Sequence, residues 1–410
     1  MTAASPAAPS GAGYRLAEID LLRGFVIVLM ALDHIRDYMH AGGILVNPLD
    51  PAQTTPLLYA TRWVTHLCAP TFVLLAGVSA YMQRARGKSA QRLSALLFTR
   101  GLWLIFLELT LLSFGWSFSV PYLLFFQVIW AIGWSMIGLA ALVFLPRLAV
   151  LAIGVAIVAG HNLLDPVSPA SFGEWGLLWT FVHEGGPIFR DGAPAALVAY
   201  PILPWFGVMA LGYGAGALFL APNRMRVLPA LGAAMVALFL VLRGFNLYGN
   251  PGASADLGPF GAVQAWQNQE GAAAMIMAFL DVQKYPPSLM FVLVTLGAAL
   301  MLLPLLARAP AGVARVLAAF GAVPFFFYLL HVYLVHIFAI AANWAAGKDA
   351  GALFGFMANI FVAPGGFEGL GFSLGVVYLA WIVLLALLYP LCAWWAALKR
   401  RRKDWWLSYL

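Results

Sequence analysis

The sequence predicts an all-α, polytopic integral membrane protein of about ten transmembrane helices, and three observations carry that expectation. Of its 410 residues, 63% are apolar and only 10% are charged, against about 25% charged in an average soluble domain. A globule of that composition in water would expose large apolar patches and associate, so lipid is its natural solvent. Apolar runs of about twenty residues recur along the whole length, each long enough to cross a hydrocarbon core of about 30 Å as a helix. The basic residues, finally, gather on alternate connections between those runs.

Taken in order, residues 1–15 are small and polar and read as a disordered tail rather than a signal peptide. Spans are expected at about 16–39, 57–83, 93–119, 121–145, 148–163, 196–220, 227–245, 287–307, 316–342 and 372–398. The membrane domain thus runs over 16–398, and 399–410 forms a basic tail. With a cytoplasmic N-terminus, sixteen of the 23 basic residues fall on the inner side, among them Arg15, Arg84, Arg86, Arg100 and the run Lys399 to Lys403. Six fall outside: Arg36, Arg62, Arg190, Arg243, Lys284 and Lys348. The positive-inside rule then fits ten spans with both termini cytoplasmic in a bacterial inner membrane. The basic excess is a topology signal, so no nucleic-acid partner is expected.

The longer outer connections, 40–56, 164–195, 246–286 and 343–371, hold ten acids, Asp256 among them. Loops above a helical scaffold are common carriers of binding residues. Cys68 and Cys392 both lie in apolar runs, which leaves no disulfide framework. There is no HExxH, no CxxC and no dense cluster of histidines and acids beyond the first span, so no metal is expected. Gly212, Gly214 and Gly216 mimic a phosphate loop but sit inside a span without a preceding strand. Close helix packing is the role that fits them, and small-residue faces of this kind would also serve a homodimer.

Ionisable groups at bilayer depth cost at least about 2.5–3.5 kcal/mol each, so they mark candidate sites. The first span reads AEIDLLRGFVIVLMALDHIRDYMH and carries Asp20, Arg23, Asp33, His34, Arg36 and Asp37. Eleven residues at about 100° each bring His34 back to the face of Arg23, roughly 16 Å further along. Such a stripe must face a cavity or other protein. A buried ion-pair network is the bland alternative, but it accounts poorly for an imidazole. Arg62 and His66 in the second span fall at a depth where His66 can approach His34. Glu108, Gln127, Asn162, His331 and His336 are further intramembrane polar residues; His331 and His336 point about 140° apart, and His331 is the better site candidate.

IDLLRG with ALDHIRDYMH resembles the start of the transmembrane acyltransferase superfamily. YPILPWFGVMALGYGAG, FLDVQKYPPSLMFVLVTLG and FGAVPFFFYLLHVYLVH look like the bacterial branch similar to the heparan-α-glucosaminide N-acetyltransferase catalytic domain. The four blocks occur in order from Ile19 to His336. The resemblance implies a ten- or eleven-helix enzyme that takes an acyl group from cytosolic acyl-CoA, acetyl-CoA above all, to a carbohydrate acceptor on the far side. It implies that His34 corresponds to the superfamily's essential histidine and Arg23 to its paired arginine. In lysosomal members an asparagine matches His34 and an acid matches His66, which leaves His34, His40 and His66 all open as the base.

The residues allow the same chemistry. A thioester is already electrophilic, so the demanding step is removing the acceptor's proton, a task suited to a histidine of ordinary pKa near 6.5. Asp33 or Asp37 would orient that histidine. Arg23, Arg84 and Arg100 would hold the donor's phosphates, and Asp37, Arg62, Lys284 and His331 would meet the acceptor. The rival expectation is an ion- or proton-coupled transporter or flippase that uses the same charged stripe.

Overall fold

The computed structural model describes residues 16–43, 45–249, 266–402 and 404–409. The readings for the tail 1–15, Asp256 and Lys403 lie outside the described residues. α1 (Ala17–Met39) is followed by α2 (Pro56–Val64), a 3₁₀ turn at Thr65–Leu67 and α3 (Cys68–Ala85), which together make one span. α4 (Ala90–Leu107), a π turn at Glu108–Leu112 and α5 (Ser113–Ser117) make the next. Then come β1 (Leu124–Phe126), α6 (Val128–Leu142), α7 (Arg147–Gly160), the short α8 (Gly176–Trp179), β2 (Gly186–Arg190) and β3 (Ala193–Val198). The chain ends with α9 (Ile202–Leu220), α10 (Arg224–Gly244), α11 (Ala272–Leu280), α12 (Leu289–Ala307), α13 (Ala311–Gly321), α14 (Pro324–Ala345), α15 (Phe356–Val362) and α16 (Leu374–Arg401).

Among the described residues, eight helical runs have the length and apolarity to cross a membrane, so the protein is a multi-pass helical membrane protein. α1 misses that composition because of its six buried or half-buried charged residues, yet its 23 residues extend about 35 Å. α6 has 15 residues and follows a strand. These two stand where the other two spans were expected. The expected span 316–342 is instead divided: α13 stops at Gly321 and α14 restarts at Pro324. Proline has no N–H to give the preceding turn and is pre-set for a first helical position, so the break falls where the sequence places it. The expected tail boundary also moves, because α16 continues through Lys399 to Arg401.

A small sheet, absent from the all-α expectation, sits at the end of the bundle away from the N-terminus of α1. Its order is β1-β3-β2, with β1 parallel and β2 antiparallel to β3. Leu124 pairs with Ala196, and Gly186 with Val198. The Ser113 hydroxyl accepts from the Phe125 N–H at 3.1 Å and ties β1 to the start of α5, just after the π turn.

Backbones approach closely where glycine faces glycine or a carbonyl. A Cβ on Gly24 would stand 1.9 Å from the Leu317 carbonyl oxygen, and one on Gly321 1.9 Å from that of Asp20. These two glycines seat α13 directly on α1 beside Arg23. Gly212 meets the Leu74 backbone, Gly214 the Leu151 backbone and Gly216 the Tyr81 ring, so this triplet packs α9 as expected. Gly24→Ala is expected to lower stability by about 1–3 kcal/mol through overpacking, seen as a lower midpoint of thermal unfolding in detergent. An unchanged midpoint would contradict the close α1–α13 contact.

Candidate active site

Two cavities back onto each other around the middle of α1. The first, about 300 Å³, opens near the N-terminal end of α1 and is lined by Arg23, Arg100 and Lys399 at its polar end. Its remaining wall is largely apolar and runs inward past Phe72, Ala76 and Ile132 to Ile129 and Tyr328. The second, a narrow cavity of about 60 Å³, lies toward the sheet and is lined by Asp33, His34, Arg36, Asp37, Arg62, Trp116, Gln127, Tyr200 and Lys284. Met30 lines the first and His34 the second, one helical turn apart. The Tyr328 hydroxyl donates to Gln127 Oε1, so one hydrogen bond spans the partition between the cavities.

Gln127 is placed by the start of α6. The first N–H groups of a helix lack intrahelical partners, and Oε2 of the buried Glu108 carboxyl group accepts the Trp130 N–H at 2.9 Å. The π turn that carries Glu108 brings it into this position.

At the partition stands a pair of buried histidines. His34 Nδ1 lies 2.7 Å from His331 Nε2, and His331 Nδ1 lies 2.6 Å from the Tyr328 carbonyl oxygen. A carbonyl only accepts, which puts the His331 proton on Nδ1 and leaves its Nε2 as an acceptor. His34 therefore donates from Nδ1, and its own Nε2 keeps the lone pair. Assigned from the hydrogen-bond network, this tautomer leaves an unprotonated Nε2 on His34, which lines the second cavity. Trp116 packs edge-on against the His34 ring, with centroids 4.8 Å apart, and restricts its rotation.

Below the imidazole lies a charge network. Arg62 Nη1 reaches both oxygens of Asp33, at 2.9 and 3.1 Å. Arg36 Nη2 lies 3.0 Å from the same carboxylate and also bonds Asp37. Arg36 Nε and Nη1 are buried without a hydrogen-bond partner among the described residues. Lys284 is 9% exposed and lines the same cavity. Tyr200 lies outside the spans; burial first, and then the neighbouring Tyr285, push its phenol well above the ordinary value, so it stays an O–H donor.

Residue by residue, the structure unites His34, Asp33, Asp37, Arg62 and Lys284 around one cavity and sets His331 on His34. The orienting partner of His34 is His331, because the Asp33 carboxylate is taken by arginines. Arg23 lines the other cavity, bonded to Asp20 and Ser79 at 3.1 Å each. Arg100 lines it too, whereas Arg84 donates to the Lys88 carbonyl on an exposed turn. His66 lies in the 3₁₀ break against Phe291 and lines neither cavity. His40 caps α1, where burial and Arg36 lower its pKa. His336 is tied to the Gly115 and Leu353 carbonyls, away from His331.

The family described as heparan-alpha-glucosaminide N-acetyltransferase, catalytic, matches residues 15–244, more than half the chain. The chain belongs to this family. Comparison with curated proteins finds no match. Membership makes the protein a membrane acyltransferase of that family, and the match covers both Arg23 and His34. His331 and Lys284 lie beyond it, supplied to the site by the second half of the chain.

Proposed function

We propose that this membrane acyltransferase moves an acetyl or other short acyl group from acyl-CoA, bound in the Arg23 cavity, to a sugar or glycan in the His34 cavity. The single observation that carries this reading is the pair of cavities divided by the Tyr328–Gln127 hydrogen bond, with His34 lining the second and bonded to His331. The first is shaped for the donor: cations at the mouth suit phosphates, and a long apolar passage suits the pantetheine arm. A transporter site would need no such dead-ended apolar passage.

The acceptor's hydroxyl or amine hydrogen-bonds His34 Nε2, which removes its proton as the nucleophile attacks the thioester carbon. The resulting imidazolium is held from behind by His331 Nε2. As the tetrahedral intermediate collapses, the C–S bond breaks and the coenzyme A thiolate takes up the proton. Proton transfer from a positioned group contributes typically ~10²–10⁴-fold.

Arg36, with two buried N–H groups unpartnered, and Lys284 favour an acceptor that carries an acidic group. Loss of one charge-assisted hydrogen bond costs about 1.5–3 kcal/mol. Lys284→Met is therefore expected to raise KM for an acidic acceptor about tenfold or more while leaving acyl-CoA binding unchanged. Equal KM values in the two proteins would remove Lys284 from acceptor recognition.

With the N-terminus cytoplasmic, as the basic residues favour, the donor enters from the cytoplasm of a bacterial inner membrane and the product forms outside. Labelled acetyl-CoA supplied to only one side of sealed vesicles tests this. Label should appear in acceptor confined to the opposite side; label only in acceptor on the donor's own side would contradict the proposal.

A further inference from the structure

Away from both cavities, His161, Asp165 and His183 converge, each offering a ligand atom within 4.8 Å of the others. His161 opens the 3₁₀ turn that ends α7, Asp165 follows it by one helical turn, and His183 lies in the π turn leading to β2. His161 and His183 are each only 2% exposed. Neither ring nitrogen of His161 has a hydrogen-bond partner among the described residues; the Pro287 carbonyl comes near without meeting bonding geometry. A buried imidazole left in that state is costly and calls for a ligand.

We propose that His161, Asp165 and His183 bind a divalent transition-metal ion, zinc by their chemistry, as a structural clamp on the segment that leads to the sheet. Two imidazoles and a carboxylate are a common zinc set with a fourth position left for water, whereas calcium and magnesium prefer all-oxygen sites. Ligand atoms of a tetrahedral zinc stand roughly 3.3 Å apart. His183 Nε2 and Asp165 Oδ1 are already 3.5 Å apart, so closure needs only a small contraction on the His161 side.

The surroundings support the ligands as an outer shell does. Asn162 Nδ2 holds the second Asp165 oxygen at 2.9 Å, and Asn162 Oδ1 accepts from the Leu289 N–H, which fixes the side chain to α12. The Trp179 ring stacks on His183 with centroids 5.1 Å apart. His183 Nε2 now donates to the His161 carbonyl at 2.9 Å; binding the ion there moves its proton to Nδ1. The clamp would join the end of α7 to the approach to β2, and through the sheet to Tyr200 on the acceptor cavity. It does not rest on the acyl-transfer reading.

The test is the metal content of the whole chain purified in detergent without chelator, then titrated with zinc chloride. About one zinc per chain is expected in the wild type, and His161→Gln/His183→Gln should retain it at least about tenfold more weakly. Chelation should lower the thermal midpoint of the wild type and not that of the variant. Cobalt loaded into the wild type alone, should the variant fail to fold, is expected to give the visible absorption of a tetrahedral nitrogen–oxygen site. No bound metal after titration, equal retention by the folded variant, or cobalt without that absorption would overturn the proposal and leave His183 simply bonded to the His161 carbonyl.

Discussion

Replacing His34 with glutamine is expected to lower turnover of acyl transfer by about 10²–10⁴-fold while leaving acyl-CoA binding and the unfolding midpoint close to wild type. The amide can still donate one hydrogen bond to His331 Nε2, so the partition keeps its packing, but it offers no lone pair of comparable basicity to the acceptor. His331→Gln acts through His34, since His331 only fixes the tautomer and supports the imidazolium. Its loss should be smaller, and the double variant should be no worse than His34→Gln, because removing a base also removes what its partner contributes. Additive losses would mean that the two histidines act separately. Full turnover in His34→Gln would remove His34 from the chemistry and turn attention to His40 or His66.

The second large effect concerns stability. Arg62→Met takes from Asp33 the cation that meets both its oxygens, in a site where the side chains are only 11% exposed. Breaking a buried pair from one side typically costs about 3–5 kcal/mol; Arg36 stays on the same carboxylate and holds the expected loss to about 3 kcal/mol. Asp33→Asn should cost at least as much, since it leaves two guanidinium groups facing each other. The pair Asp33→Leu with Arg62→Leu should recover part of the loss, because a buried ion pair replaced by apolar groups is often nearly neutral. Unfolding in detergent by denaturant reads all three. A loss below about 1 kcal/mol in Arg62→Met would show that the network is far more solvated than its geometry implies.

Helix count and placement were legible because a span of twenty apolar residues is a long, strong signal. The six charged residues of α1 announced a cavity, since lipid would not tolerate them, and both Arg23 and His34 do line cavities. What the sequence concealed was local. Leu124–Phe126 and Ala193–Val198 lie in apolar runs, and strands of three to six residues there cannot be told from helix by periodicity. Pro121, Pro194 and Pro201 were the available hints. The contact between His34 and His331 spans 297 residues, and no spacing rule reaches that far. Asp33 looked like the orienting acid because it adjoins His34, but adjacent residues on a helix point about 100° apart. The separation of His161 and Asp165 by four residues was a readable one-turn signal; His183, eighteen residues beyond Asp165, was not.

The stripe from Arg23 to His34 lines two cavities divided by Tyr328 and Gln127, and the proposed mechanism rests on that division. A density map of the protein with a non-hydrolysable acetyl-CoA analogue tests it most directly. The account places the analogue's phosphates at Arg23, Arg100 and Lys399, its arm along the apolar passage, and its acyl carbon at Tyr328 beside His34. Density for the analogue in the cavity of Asp33 and Lys284, or outside both, would contradict it.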